Sequence, residues 1–79
     1  MKYIELIDYI VKGIVNEPDA VKIKEGSEND VLTYYINVAQ QDVGKVIGKQ
    51  GNVISAIRLL INAAASKQSQ KVFVKVVAD

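Results

Sequence analysis

Gly48-Lys49-Gln50-Gly51 is the stretch of this 79-residue chain best suited to chemistry. A glycine has no Cβ, so it takes up positive φ and lets another backbone come close. A sharp glycine turn that opens into a helix also presents unpaired N–H groups and the positive end of a helix dipole, and both favour a phosphate. Lys49 adds charge at the turn and Lys45 adds charge just before it. The chemistry implied is the gripping of an anionic backbone, not the making of bonds. There is no His and no Cys, which removes the commonest general base, the usual activator of a nucleophile and the usual metal ligands. Asp8, Asp19, Glu25 and Asp42 show no paired-carboxylate spacing, and no phosphate-loop Lys-Ser/Thr signature is present. The expectation is therefore no enzyme, no metal and no cofactor.

The net charge of +1 argues for no partner by itself, but its distribution is uneven. Residues 1–38 carry four Lys against seven Asp or Glu, whereas residues 39–78 carry five Lys and one Arg against Asp42 alone. The cationic half is the half that holds the glycine turn, and that asymmetry points to a polyanion. The plainer alternative is a set of ordinary solvated lysines. An apolar fraction of 49% suits a globular fold, and the length allows one domain, residues 1–79. No apolar run approaches the roughly 20 residues needed to span a bilayer. Acids stand near the N-terminus where a signal peptide would have an apolar block, so a cytoplasmic chain is expected.

The elements that must position the turn follow from periodicity. Residues 3–15 read as a helix, with Ile4, Ile7, Ile10 or Val11, Ile14 and Val15 on one stripe and Glu5, Asp8 and Lys12 opposite. Gly13 weakens its last turn, Asn16 is placed to cap its end, and Pro18 stops it. Residues 20–24 alternate as a strand with Val21 and Ile23 inward, and the polar residues 25–30 read as a hairpin turn. Residues 31–38 form a second strand, rich in β-branched and aromatic residues, with the Leu32, Tyr34, Ile36 and Val38 face favoured as the core side. Asp42 is a good N-cap for a short helix over residues 43–47, which Gly48 ends. The next helix starts at Gly51 or Asn52 and runs to about Lys67. Its wheel puts Val53, Ile57, Leu60, Ile61 and Ala64 on a buried stripe, Ile54 at the margin, and Ser55, Asn62 and Ser66 opposite. Leu59 with Ala56 and Ala63 makes a small separate apolar patch. After a polar connection over residues 66–70, residues 71–77 form the last strand.

The order is α-β-β-α-α-β. A strand-helix-helix-strand crossover makes its two strands parallel, and the first two strands make an antiparallel hairpin. The fold class is α+β, a three-stranded mixed sheet with three helices on one face.

The sequence Val46-Ile47-Gly48-Lys49-Gln50-Gly51, set between a short helix and a longer one and bracketed by strands, resembles the K-homology (KH) domain. The loop of that domain grips about four nucleotides by their backbone. The element order corresponds to the type II, prokaryotic arrangement. The acidic-apolar first helix, the run from Gly44 through Gly51, and Ala56-Ile57-Arg58 are similar to the small bacterial KhpA family over essentially the whole chain.

That resemblance implies a single-stranded RNA-binding protein without catalytic activity, a broad RNA binder or chaperone in post-transcriptional regulation, associated with cell elongation and division. It implies a homodimer, or a heteromer with the larger Jag-type (KhpB) KH-containing protein, and no membrane or small-molecule partner. Gly48, Lys49, Gln50 and Gly51 would contact the sugar-phosphate backbone, with charge from Lys45 and Arg58. Ile47 and Ile54 would floor an apolar groove, Gly44 would leave room at its end, and Ser55 would lie beside it. Family members often carry Arg directly after the second glycine; Asn52 stands there in this chain and removes one phosphate contact. Each residue also has a plainer reading: Gly48 as a helix end, Ile47 and Ile54 as core, Arg58 as a stem covering apolar surface. Tyr34, Tyr35 and Phe73 are candidates for base stacking, although strand aromatics more often serve as core residues or cross-strand pairs. The alternative function is a protein–protein interaction module with a KH fold and little RNA binding.

Overall fold

The computed structural model describes residues 3–68 and 70–78. Met1 and Lys2 of the acidic N-terminal stretch, Ser69 of the polar connection and Asp79 lie outside the described residues. The first helix, α1, spans Tyr3–Lys12 and buries Ile7 and Val11 completely, one turn apart on the expected stripe. It ends three residues before the expected Val15. The Gly13 amide is shared between the Tyr9 and Ile10 carbonyls, and the Ile14 and Val15 amides both turn back onto the Val11 carbonyl. The helical ladder closes there, and Val15 packs against the core from outside the helix.

Strand β1 covers Lys22–Glu28 and β2 covers Val31–Val38. The first strand lies further along the chain than residues 20–24. Residues 18–20 form a single 3-10 helical turn, with Val21 buried just ahead of the strand. The turn is shorter than residues 25–30, because Asn29 and Asp30 both adopt left-handed φ, 52° and 66°, and close the hairpin by themselves. Two such residues are the loop whose twist matches a right-handed hairpin. The polar residues 25–28 therefore stay in the ladder, paired from Glu25↔Tyr34 to Glu28↔Val31.

Strand β3 covers Val72–Ala78, one residue later than expected, and pairs parallel to β2 from Leu32↔Val72 to Val38↔Ala78. The strand order is β1-β2-β3, so β2 is central. Its Tyr34, Ile36 and Val38 are buried, as expected of that face, with Val72 and Val74 of β3 beside them. Thr33 and Asn37, on the opposite face of β2, are buried as well, because a central strand is flanked on both sides.

The crossover from β2 to β3 holds two helices, α2 over Val43–Ile47 and α3 over Asn52–Ser66. The buried stripe of α3 is Ile54, Ile57, Ile61 and Ala65. The expected stripe corresponds at Ile57 and Ile61 only. Leu60 is 56% exposed and Ala64 and Val53 are half-buried, while Ile54 moves from the margin to the core. The helix is rolled toward its Asn62 side, and two hydrogen bonds to β3 account for the roll. Asn62 Oδ1 accepts the Val72 amide at 3.0 Å, and Arg58 Nε donates to the Val74 carbonyl at 3.0 Å. Both bonds occupy backbone groups on the free edge of β3, which would otherwise be open to pairing with another chain.

Candidate nucleic-acid interface

The segment leading into α2 is a 3-10 turn over Gln40–Asp42. Asp42 precedes α2, as expected of a cap, but its carboxylate makes no cap hydrogen bond. It is fully buried and accepts the backbone amides of Asn16 at 3.1 Å and Glu17 at 3.0 Å. The Asn16 amide is thus held from across the fold, and no cap of α1 by Asn16 is formed. The two segments lie about two dozen residues apart in the chain, so local sequence carried no sign of the contact.

Helix α2 ends at Gly48, whose amide bonds the Gly44 carbonyl at 2.9 Å. Gly48 has φ 79° and ψ 173°, a region left almost entirely to glycine. A Cβ there would also run into the Val53 side chain and lie 2.8 Å from the Val53 nitrogen. Gly51 has φ 76°, and its amide closes onto the Gly48 carbonyl at 3.1 Å. Gln50, between them, is left-handed too at φ 56°. Three of four residues with positive φ turn the chain from α2 into α3 within one 3-10 turn.

That geometry decides which donors are free. The Gly48 and Gly51 amides are used inside the corner. The Lys49 and Gln50 amides have no acceptor, backbone or side chain, among the described residues, and both residues are exposed. Unpaired amides beside the start of a 15-residue helix suit an anionic oxygen. Lys45, Lys49 and Arg58 are exposed and have no carboxylate partner among the described residues, where the ion pairs are Asp8–Lys12 and Glu28–Lys75.

The other candidates divide by position. Gly44 and Lys45 are exposed on α2, and a Cβ on Gly44 would meet nothing within 4 Å. Ile47 is 37% exposed at the end of α2, while Ile54 is 6% exposed and sits in the core. Asn52, Ser55 and Arg58 are exposed on α3. Gly44 through Arg58 thus form one continuous helix-corner-helix, with Ile54 behind it, and Arg58 links it to the edge of β3. Of the aromatics, Tyr34 is core and meets Tyr3 edge-on at 6.5 Å between centroids. Tyr35 and Phe73 are half-buried on the opposite face of the sheet. Sequence reasoning had no signal for the left-handed Gln50, because glutamine carries no preference for that conformation.

No helix among the described residues is long and apolar enough to cross a membrane. No group of three or more potential ligands that could hold a metal occurs among them either.

The chain is 42% identical over 73 residues to the RNA-binding protein KhpA of Caldanaerobacter subterraneus subsp. tengcongensis, covering 92% of this chain and 97% of that one. It is 39% identical over 75 residues to the RNA-binding protein KhpA of Chlamydia trachomatis, covering 95% and 96%. Among solved structures it superposes on Era, crystallised with MgGDPNP and nucleotides 1506–1542 of 16S ribosomal RNA, with a TM-score of 0.66. The identity is 18%, and the match covers 98% of this chain and 31% of that one, so it speaks to fold alone. The family model described as KhpA/KhpB, KH domain, matches residues 4–76. With the element order α-β-β-α-α-β, a mixed three-stranded sheet and a glycine corner between α2 and α3, the chain belongs to the KhpA/KhpB family of type II KH domains, RNA-binding proteins and not enzymes.

Proposed function

We propose that the protein binds single-stranded RNA through the corner between α2 and α3. The observation that carries this reading is the pair of unpaired amides at Lys49 and Gln50, two exposed residues in a corner with three positive φ values in four residues. A phosphate oxygen accepts from those amides, with Lys45, Lys49 and Arg58 supplying charge. Gly48 and Gly51 shape the corner, and Gly44, with nothing above its Cα, leaves the strand free to approach. Ile47 offers an apolar contact to a base, Ile54 backs the corner from the core, and Asn52 and Ser55 offer neutral polar contacts. Such a site reads few bases and binds weakly and permissively, as befits a cytoplasmic broad-specificity RNA binder or chaperone in post-transcriptional regulation. The association with cell elongation and division would act through the RNAs it holds.

Charge reversal at Lys49→Asp with Gln50→Asp tests the reading. Retention of RNA should be lost while the circular dichroism spectrum stays unchanged. Three or four phosphate contacts give a log-log salt slope of about −2 to −3, at roughly −0.7 per contact. Unchanged retention, or a slope near zero, overturns the proposal.

A second reading has its own observation. Ala56, Leu59, Leu60 and Ala63 are all exposed along the outer side of α3, with Leu59 72% exposed. Their spacing of three and four residues makes a second apolar stripe, with small residues that allow close approach. We assign it to association with a second copy or with a Jag-type (KhpB) KH-containing protein, which would raise RNA affinity through linked sites. Leu59→Glu should shift the sedimentation profile toward monomer; a profile that is monomeric already at high concentration removes the second copy, and unchanged binding of Leu59→Glu to the Jag-type protein removes the heteromer.

A further inference from the structure

The face of the sheet turned away from the helices carries an arrangement that the corner does not use. Alternation and register put Lys24, Tyr35 and Lys75 in one row across β1, β2 and β3. Lys22, Asn37 and Val77 form the row on one side, and Gly26, Thr33 and Phe73 the row on the other. Lys71, just ahead of β3, places its Nζ over the Phe73 ring, 5.6 Å from the centroid. This face therefore holds four exposed lysines, Lys22, Lys24, Lys71 and Lys75. The acid set among them is Glu28, and it is already engaged by Lys75 at 2.7 Å and by the Tyr35 hydroxyl.

The Tyr35 ring is fixed, not merely present. The Tyr35 ring crosses from β2 over β1. Its Cε2 lies 3.0 Å from where a Cβ on Gly26 would be, so the glycine is what makes room for it. Its hydroxyl then donates to Glu28, two residues further along β1. A ring laid across a sheet and tied at its far end keeps one side toward solvent. Phe73 is half-buried on the neighbouring strand. Strand geometry puts the two residues about 8 Å apart, two positions along and one strand across.

This face is also continuous with the edge that α3 reaches. A depression of about 340 Å³ at the free edge of β3 is lined by Arg58 and Asn62 from α3 and by Lys71, Phe73 and Lys75 from the sheet. Arg58 lies six positions into α3, roughly 10 Å of helix rise from the glycine corner.

We propose that a single strand held at the glycine corner continues past Arg58, round the edge of β3 and onto the open face of the sheet. There Tyr35 and Phe73 stack bases, and Lys22, Lys24 and Lys71 meet phosphates. The inference rests on the reading of the corner as an RNA site. Charge complementarity and half-buried rings at an open sheet face select nucleic acid over a protein partner, since stacking tolerates any base and lysines follow the backbone.

The test uses the whole chain and two fluorescent oligouridylates, one of about four nucleotides and one of about twelve. The short one fills only the corner site. Lys22→Gln with Lys24→Gln and Lys71→Gln should weaken the longer RNA about tenfold and flatten its salt slope by about 2, at roughly 0.7 per contact. The short RNA should bind as before. Phe73→Leu should also weaken the longer RNA selectively, and the lysine variant answers the question even if Phe73→Leu misfolds. If both RNAs bind through the corner while the lysine variant leaves the longer one unchanged in affinity and slope, the sheet path is wrong and the corner stands. If the wild-type chain binds neither RNA, both fall.

Discussion

The carboxylate of Asp42 accepts the backbone amide of Glu17 at 3.0 Å, and this contact ties the turn after α1 to the start of the α2–α3 helix pair. The same carboxylate takes the Asn16 amide at 3.1 Å, from a fully buried position. One buried acid thus sets where the corner begins relative to the N-terminal helix.

Asp42→Ala should therefore cost about 2–3 kcal/mol, because it leaves two amides without their charged acceptor. Asp42→Asn, which keeps an acceptor oxygen but not the charge, should cost less. Urea denaturation checks both, and the order of the two variants is the informative result.

The two glycines of the corner should not be equivalent. Gly48→Ala should cost about 3 kcal/mol, since Ala is strained at φ 79°, ψ 173° and its Cβ runs into Val53. Gly51→Ala should cost about 1 kcal/mol, since it has a left-handed φ but nothing within 4 Å to strike. For a domain this small the first is a large fraction of the total. Thermal and chemical melts of the two variants measure the difference.

Adjacent residues on α3 should differ in the same way. Ile61 is fully buried and Leu60 is 56% exposed. Ile61→Ala should cost about 2–4 kcal/mol by transfer and cavity together, and Leu60→Ala about 0.5 kcal/mol. Equal costs would mean that the helix is rolled back toward the stripe with Leu60 inside.

Tyr34 gives a pH dependence. Burial, helped by the Glu25 carboxylate, pushes its phenol from about 10 up to about 12. A raised folded value favours the neutral form, so this contribution is fully present below pH ~10 and is lost as pH rises through about 12. Stability of the wild type should fall between those values, and Tyr34→Phe should fall less steeply. Denaturation midpoints across that range check it.

What was legible in sequence was local. The bounds of β2 follow from its alternation, its core face from the more apolar of its two sides, the corner from two glycines, and the parallel pairing from the crossover rule. What was not legible depends on partners far along the chain. Residues 25–28 look like a turn until Tyr35 and Lys75 hold Glu28 in the sheet. Asp42 looks like a helix cap until the chain folds Asn16 and Glu17 onto it. Helix α3 offers two neighbouring apolar stripes, and only the bonds from Arg58 and Asn62 to β3 choose between them. At the corner, a glycine turn with free amides was readable, whereas the left-handed Gln50, and which two amides stay unspent, were not.

The amides of Lys49 and Gln50 test the central claim most directly. In a titration of the isotopically labelled protein with unpaired RNA, their NMR signals should shift strongly and saturably, more than those of the α1 helix. Signals that stay in place while RNA is added to saturation would contradict a phosphate seat at this corner.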